Sequence, residues 1–351
     1  MNPYHLFGST NSVVEQWAKH SIRGSHPDAQ RPLGLLGLNI SEGNRVTEFI
    51  LLSFPCPREM QILLFGVFTL TYALTLVGNG SIICAVKLDQ HLHTPMYILL
   101  AHFSFLEICY VNTTVPNMLV NFLSETKTIS FTACFLQFYF FFSTGITEPF
   151  FLSLMAFDRY LAICQPLHYP TIMTGRFCIK LVLFCWVTGF LCFPIPIYFM
   201  SQLPFCGPNV IDHFICDPGP LISLICIHAP GIELSFSIIP SLAIFLTFPF
   251  ILGSYTLVFR AVLRIPSAAG RKKAFSTCGS HLTVVSLFFG TVLVMYITPT
   301  SGHITTTKKI ITLFYSVFTP LVNPLIYSLR NKEMKTALRK VQMSMKILLS
   351  K

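Results

Sequence analysis

Seven stretches of the chain are each long and apolar enough to cross the hydrocarbon core of a bilayer as a helix, which takes about 20 residues. They run over 60–86, 95–122, 131–163, 177–200, 232–263, 274–299 and 309–329. Hydrocarbon offers backbone amides and carbonyls no partners, so each stretch must satisfy its own hydrogen bonds as a helix. The expected fold is therefore an all-α membrane protein, a seven-transmembrane helix bundle. Composition agrees, with 53% hydrophobic and 11% charged residues against roughly 25% charged in an ordinary soluble domain.

Residues 1–59 form an amino-terminal tail, and 330–351 a carboxyl-terminal helix and tail. Met334, Leu338, Val341 and Met345 recur at helical spacing among basic residues, which predicts a short amphipathic helix on the membrane surface. The leader lacks the continuous apolar core and cleavage site of a signal peptide, so the first span is expected to serve as its own targeting signal. Orientation follows from the basic residues. Lys87, Arg159, Arg176, Lys180, Arg260, Arg264, Arg271, Lys272, Lys273 and the basic tail fall on one side, against Lys127, Lys308 and Lys309 in the opposite loops. The positive side faces the cytoplasm, so the amino terminus is expected outside and the carboxyl terminus inside, in the plasma membrane. Asn39-Ile40-Ser41, an acceptor for N-glycosylation, points the same way. The net charge of +10 is thus topological, and no nucleic acid is expected as a partner.

Several function classes fit poorly. The halves show no internal repeat of the kind found in many transporters. Glu107 and Glu148 are the only acids well within the spans, too few to line an ion path. Neither a nucleophile paired with a base nor a metal triad recurs on one face, so an enzyme is not expected, and no cofactor is implied. His213, Cys216 and Asp217 could form a soft metal site, but a disulfide at Cys216 would remove its thiolate, and no metal is expected.

What stands out is Asp158-Arg159-Tyr160 at the end of the third span, an acid and a base where a membrane helix meets water. Such a pair neutralises itself and can be switched. Asn79, Glu107 and Asn323-Pro324-Leu325-Ile326-Tyr327 put polar groups at mid-depth in three other spans, where they are costly unless they meet one another or water. A shared cluster is expected, with Pro324 permitting a bend beside Tyr327. At the start of the sixth span, Arg271 to Leu282 joins a basic patch to small hydroxylated residues, with Ser276 and His281 placed to make contacts that differ between two helix positions. Cys134, Cys206, Cys216 and Cys226 face the outside, where two disulfides can form in any of three pairings.

Leu92-His-Thr-Pro-Met-Tyr97, Met155-Ala-Phe-Asp-Arg-Tyr-Leu-Ala-Ile-Cys164, Ser254-Tyr255, Lys273-Ala-Phe-Ser-Thr-Cys-Gly-Ser-His-Leu282 and Pro320-Leu-Val-Asn-Pro-Leu-Ile-Tyr327 stand in the chain in that order. Together these segments resemble the odorant (olfactory) receptors, a branch of the rhodopsin-like, class A G-protein-coupled receptors, over about 46–341. The resemblance implies an outward-facing pocket for small volatile ligands and coupling inside to a heterotrimeric stimulatory G protein that raises cyclic AMP. By motif match, Arg159 would be freed from Asp158 to meet the G protein, and Tyr255 and Tyr327 would turn inward to hold the open form. Ser276 to His281 would be an activation segment, and Trp186 matches the family's fourth-helix tryptophan. The resemblance also selects the pairings Cys134–Cys216 and Cys206–Cys226. Two departures are Glu107, where the family usually has Asp, and Phe157, where Tyr is common; the leader up to Gly37 lies beyond the match.

The ligand pocket is expected among the outer halves of spans three, five, six and seven. Phe141, Phe142, Gly145 and Ile146 fall on one helical face by their spacing, as do Phe289, Leu293 and Tyr296. Such a lining is mostly apolar, with Tyr296 and Ser316 as hydrogen-bonding partners. Position 141 holds no carboxylate for a cationic amine, and Glu148 lies deeper, with a structural role expected. A same-fold receptor for a non-odorant small molecule outside the olfactory epithelium is the alternative, with a transporter or channel further behind.

Overall fold

The computed structural model describes residues 46–54, 56–206, 208–297, 304–330 and 332–349. Asn39, the rest of the leader, residues 298–299 of the expected sixth span and the side chains of Ser276 and Tyr296 lie outside the described residues. In chain order the elements are β1 (Glu48–Leu51), α1 (Arg58–Leu88), α2 (Pro95–Leu123), β2 (Thr128–Ser130), α3 (Phe131–Cys164), α4 (Tyr169–Ile172), α5 (Gly175–Leu191) and α6 (Pro194–Ser201). Then come β3 (Val210–Ile211), α7 (Pro218–Ser223), α8 (Pro230–Leu263), α9 (Ala268–Ile297), α10 (Ile304–Leu313), α11 (Thr319–Arg330) and α12 (Lys332–Leu349). Among the described residues, seven helical segments are long and apolar enough to cross a membrane: α1, α2, α3, α5 with α6, α8, α9, and α10 with α11.

Local chemistry sets the starts of these helices. Ser130 caps α3 by accepting the Ala133 amide at 3.3 Å, and Thr174 caps α5 by accepting the Phe177 amide at 3.3 Å. Each satisfies one donor that a helix start leaves free. Pro95 and Pro230 open α2 and α8 in the first turn, where a missing N–H costs nothing.

Two spans depart from simple helices. The fourth, expected as one helix over 177–200, ends at Leu191 and restarts at Pro194. Pro194 has no N–H to give the Phe190 carbonyl four residues back. That carbonyl instead accepts the Tyr139 hydroxyl at 3.1 Å. The seventh widens into a five-residue π-helical turn, Phe314–Phe318, just before Pro320, which likewise cannot donate to the Ser316 carbonyl.

Large apolar side chains such as Leu63, Leu70, Val77, Phe245 and Phe259 are exposed on the outside of the bundle, where a bilayer would cover them. Inside, one apolar cluster surrounds the Asp158 end of the bundle, with Phe103, Phe151, Leu152, Val258 and Val284 in it. Two others fill the opposite, disulfide-bearing end. Phe138, Phe193 and Met200 belong to one of them, and Tyr110, Phe141 and Val317 to the other.

The disulfide end carries a lid. β1 lies in the middle of a three-stranded sheet, antiparallel to β2 and parallel to β3. Cys134 is bonded to Cys216 and Cys206 to Cys226, with Cα atoms 5.5 and 5.1 Å apart. The first bond ties the lid to the start of α3 and draws Phe214 and Ile215, both fully buried, into the cluster with Phe141. Lys309 completes the fastening. Its buried ammonium donates to the Leu52 carbonyl at 3.0 Å and pairs with the Asp212 carboxylate, so β1, the lid loop and α10 meet on one charge.

At the other end, α12 buries Met334, Ala337 and Val341 and exposes Lys335 and Arg339. It is fastened by Lys340 to Asp89 at 2.8 Å and by the Tyr97 hydroxyl to Glu333 at 2.7 Å. The Lys340 ammonium holds the Asp89 carboxyl below its ordinary range.

Candidate functional site

The Asp158-Arg159 pair closes on itself. Asp158 is 1% exposed, and the Arg159 guanidinium binds its Oδ2 through Nε at 3.0 Å and through Nη2. The free oxygen, Oδ1, accepts the hydroxyl of Tyr169 from α4 at 2.8 Å. Tyr160 stands apart from the pair, and its hydroxyl accepts the Gln165 amide at 3.1 Å. Residue 158 thus ties the end of its own helix, with the neighbouring guanidinium, to the connection that leads to α5.

Tyr255 on α8 and His281 on α9 form a second contact, phenol oxygen to Nδ1 at 2.7 Å, with the rings stacked. Tyr327 is buried with its ring edge-on to Phe103 at 6.3 Å, and its hydroxyl has no protein partner among the described residues. Tyr255 and Tyr327 both pack in the apolar cluster around the Asp158 end.

The mid-depth polar groups meet in pairs. Asn323 donates to Glu107, and both are buried. Pro324 has no N–H for the Pro320 carbonyl, and Asn79 supplies the missing donor across the helix gap at 3.1 Å. The carbonyl that Pro324 leaves without its helical donor is therefore satisfied by a side chain of α1. Glu148 is buried on α3, and its Oε1 has no protein partner among the described residues.

Towards the lid, the expected pocket residues separate into groups. Phe141 stacks on Tyr110 with centroids 5.0 Å apart, and both approach Tyr315, at 6.1 and 5.9 Å. Gly145 sits beneath Tyr110, where an added Cβ would be in ordinary contact with the ring at 3.8 Å. Ser316, fully buried on the π-helical turn, has a hydroxyl with no protein partner among the described residues. Phe142 turns towards Phe193 at 5.8 Å, and Ile146 packs in the same cluster. Phe289 packs on Phe248 at 4.9 Å and belongs to the cluster at the Asp158 end. Leu293 is 59% exposed and does not share the buried face of Phe289.

Sequence reasoning missed Tyr110, Tyr315 and Tyr169. Tyr110 follows Glu107 by three residues on α2, so the polar position already marked its face. Tyr315 owes its place to the π-helical turn, which no sequence pattern announced. Phe214 and Ile215 were signalled by Cys216 beside them.

His213, in the lid, is 4% exposed. Its Nδ1 accepts the Ile215 amide at 3.2 Å, and its ring stacks on Phe214. Burial pushes its pKa down, against the pull of Asp217. With Cys216 in a disulfide, this group offers a metal neither a thiolate nor a free Nδ1.

Compared with known proteins, residues 68–345 match the family model of the olfactory receptors. Human olfactory receptor 11H6 is 68% identical over 296 residues, covering 84% of this chain and 90% of that receptor. Human olfactory receptor 11G2 is 67% identical over 300 residues, or 86% and 87% of the two chains. Human olfactory receptor 11H4 is 63% identical over 310 residues, or 88% and 96%.

Proposed function

The chain belongs to the olfactory receptor family, multi-pass receptors of the plasma membrane that pair a small ligand with a G protein, and on that premise we propose how it works. It binds small, mostly apolar volatile molecules near Phe141, Gly145 and Ser316 and activates a stimulatory G protein that raises cyclic AMP. The lid end faces outside and α12 lies inside, in keeping with the distribution of basic residues.

The observation that carries this reading is the double hold on Asp158, by Arg159 and by Tyr169, at the end of α3. A part-buried guanidinium satisfied by a buried neighbouring carboxylate is a closed switch. Ligand binding favours a packing of α8, α9 and α11 in which the Asp158 end of α9 moves outward and frees Arg159 for the G protein. Only a ligand that binds this open form more tightly can drive the shift. Tyr255, Tyr327, His281 and the Glu107–Asn323 pair change partners as the helices move, while Asn79 keeps the carbonyl freed by Pro324 satisfied. Tyr160 belongs to the surface that meets the G protein. Asn39 carries the glycan.

The test is cyclic AMP in cells that express the chain with a stimulatory G protein, exposed to volatile acids, aldehydes, alcohols and amines. A response to one chemical class, lost in Arg159→Ala at equal surface expression, is the expected result. Asp158→Asn is expected to raise signalling without ligand. An unchanged response in Arg159→Ala would remove that residue from the mechanism.

A further inference from the structure

Within the spans, Thr71, Thr75, Thr147 and Thr247 each donate to the carbonyl four residues back, at 2.7–2.8 Å. Asn79 and Asn112 do so through their amides, at 3.1 and 2.7 Å. Thr114 and Asn117 on α2 do not. The Thr114 hydroxyl and the Asn117 side-chain nitrogen are buried, with no protein partner among the described residues. Thr113 has taken the Tyr110 carbonyl that Thr114 would use, at 2.6 Å. Gln137 of α3, beside them, is engaged at both ends, donating to the Thr113 carbonyl and accepting the Cys216 amide, each at 3.0 Å.

Both stand on the face of α2 that Tyr110 presents to Phe141 and Tyr315, four and seven residues further along the helix. Phe214 and Ile215 of the lid pack in the same cluster as Val115 and Met118, so this part of α2 lies beneath the lid. We infer that Thr114 and Asn117 form a polar subsite on α2 that receives the carbonyl oxygen of an aldehyde or ketone. The inference deepens, and rests on, the reading that a volatile molecule binds near Phe141 and Gly145.

The chemistry of the two groups selects that of the ligand. A buried donor without an acceptor is strongly disfavoured, and α2 carries two of them one turn apart. An amide N–H can only donate and a hydroxyl can also donate, so the fitting partner accepts from both. A carbonyl oxygen has two lone pairs and no proton. An ammonium brings donors alone, and a hydrocarbon brings neither. Thr114 lies about 6 Å along the helix from Tyr110, which places a carbonyl there beside an apolar body at Phe141 and Gly145. Asn121, 2% exposed, repeats the pattern a turn nearer the lid, its side-chain nitrogen also without a protein partner among the described residues. It stands about 6 Å beyond Asn117, out of reach of the same oxygen, and so provides a comparison.

The experiment measures cyclic AMP in cells that express the full-length chain with a stimulatory G protein at matched surface density. The probes are straight-chain and cyclic aldehydes and ketones, each beside the alkene in which a methylene group replaces the carbonyl oxygen, and primary amines of equal length. The parent is expected to answer carbonyl probes at lower concentration than their alkenes. Thr114→Val and Asn117→Leu are each expected to raise the half-maximal concentration of the carbonyl probe about tenfold, the scale of one lost hydrogen bond, and to leave that of the alkene where it was. Both exchange an unpartnered polar group for an apolar one of similar shape, so surface expression is expected to hold or rise. A fall in both marks a structural role and overturns the inference. Asn121→Leu is expected to respond to both probe types like the parent, and Phe141→Leu to weaken both. Unchanged carbonyl responses in Thr114→Val and Asn117→Leu, as when these groups hold only water, overturn the inference, as do equal shifts for the two probe types or an equal shift in Asn121→Leu. A parent that answers alkenes or amines and not carbonyl compounds overturns it alone, with the receptor reading intact. Silence to every probe at verified surface expression overturns both.

Discussion

Tyr255 and His281 bridge α8 and α9 through a single buried contact, phenol oxygen to Nδ1 at 2.7 Å. Both residues are buried, at 8% and 2% exposure, so water does not readily replace either partner. A hydrogen bond of this kind contributes about 0.5–1.5 kcal/mol net. His281→Phe keeps an aromatic ring in place and removes Nδ1 from the contact, which frees Tyr255 to turn inward. Ligand-independent cyclic AMP is expected to rise about two- to tenfold at matched surface expression. Tyr255→Phe loses the bond in the closed form and the inward hydroxyl in the open one, so no comparable rise is expected. Equal basal levels in His281→Phe and the parent would show that this contact does not hold the helices shut.

Helix number and order were legible in the chain because hydrocarbon permits a spanning segment only one economical backbone arrangement. Glu107 and Asn323 stood out as polar groups at a depth where they are costly, and Asp158 and Arg159 as an adjacent acid and base where a spanning helix meets water. The break before Pro194 and the turn before Pro320 were not legible, although both prolines were visible. Whether a proline bends, breaks or widens a helix depends on which neighbour satisfies the freed carbonyl, and at Phe190 that neighbour is Tyr139, 51 residues away. Leu293 shows the limit of helical spacing. Four residues put it beside Phe289, but the rotation of α9 decides what that face meets, and packing sets it. Tyr169 escaped notice because its role depends on the path of a short connection.

Gly189 on α5 marks a close approach of that helix to α3. A Cβ there would overlap Thr147 Oγ1 and stand 2.9 Å from the Ser143 carbonyl. Gly189→Ala must therefore push the helices apart, at about 1–3 kcal/mol for an overpacked contact. Reduced surface expression and faster thermal inactivation are expected. Gly66, with nothing within 4 Å of its added Cβ, provides the control. Gly66→Ala is expected to express like the parent, and similar losses in both variants would argue against the close approach.

Lys309 holds the lid through Leu52, Ser53 and Asp212. Lys309→Met removes all three contacts and leaves the carbonyls of β1's end without that donor. Hydrogen exchange at the amides of 49–53 is expected to speed up about tenfold or more, as for the loss of 1.4 kcal/mol or more of local stability. Asp212→Asn is expected to do less, because Asp212 is 54% exposed and its carboxylate is readily hydrated. Unchanged exchange in Lys309→Met would place the lid's anchorage in the disulfides and sheet alone.

His213 makes the same lid sensitive to acid. Burial holds its pKa below the ordinary value of 6.5, with Lys309 adding to that effect and Asp217 and Asp212 opposing it. An opened lid exposes the imidazole and returns it towards the ordinary value, so the open form binds a proton more readily than the closed one. Stability of the closed lid is then full above about pH 6.5 and declines as pH falls towards the depressed value. Amide exchange across 211–216, corrected for its intrinsic pH dependence, is expected to be faster at about pH 5.5 than at about pH 7.5. His213→Phe keeps a ring against Phe214 but cannot take up a proton, so the difference between the two pH values is expected to disappear. A difference that persists in His213→Phe would show that His213 is not the source of the acid sensitivity.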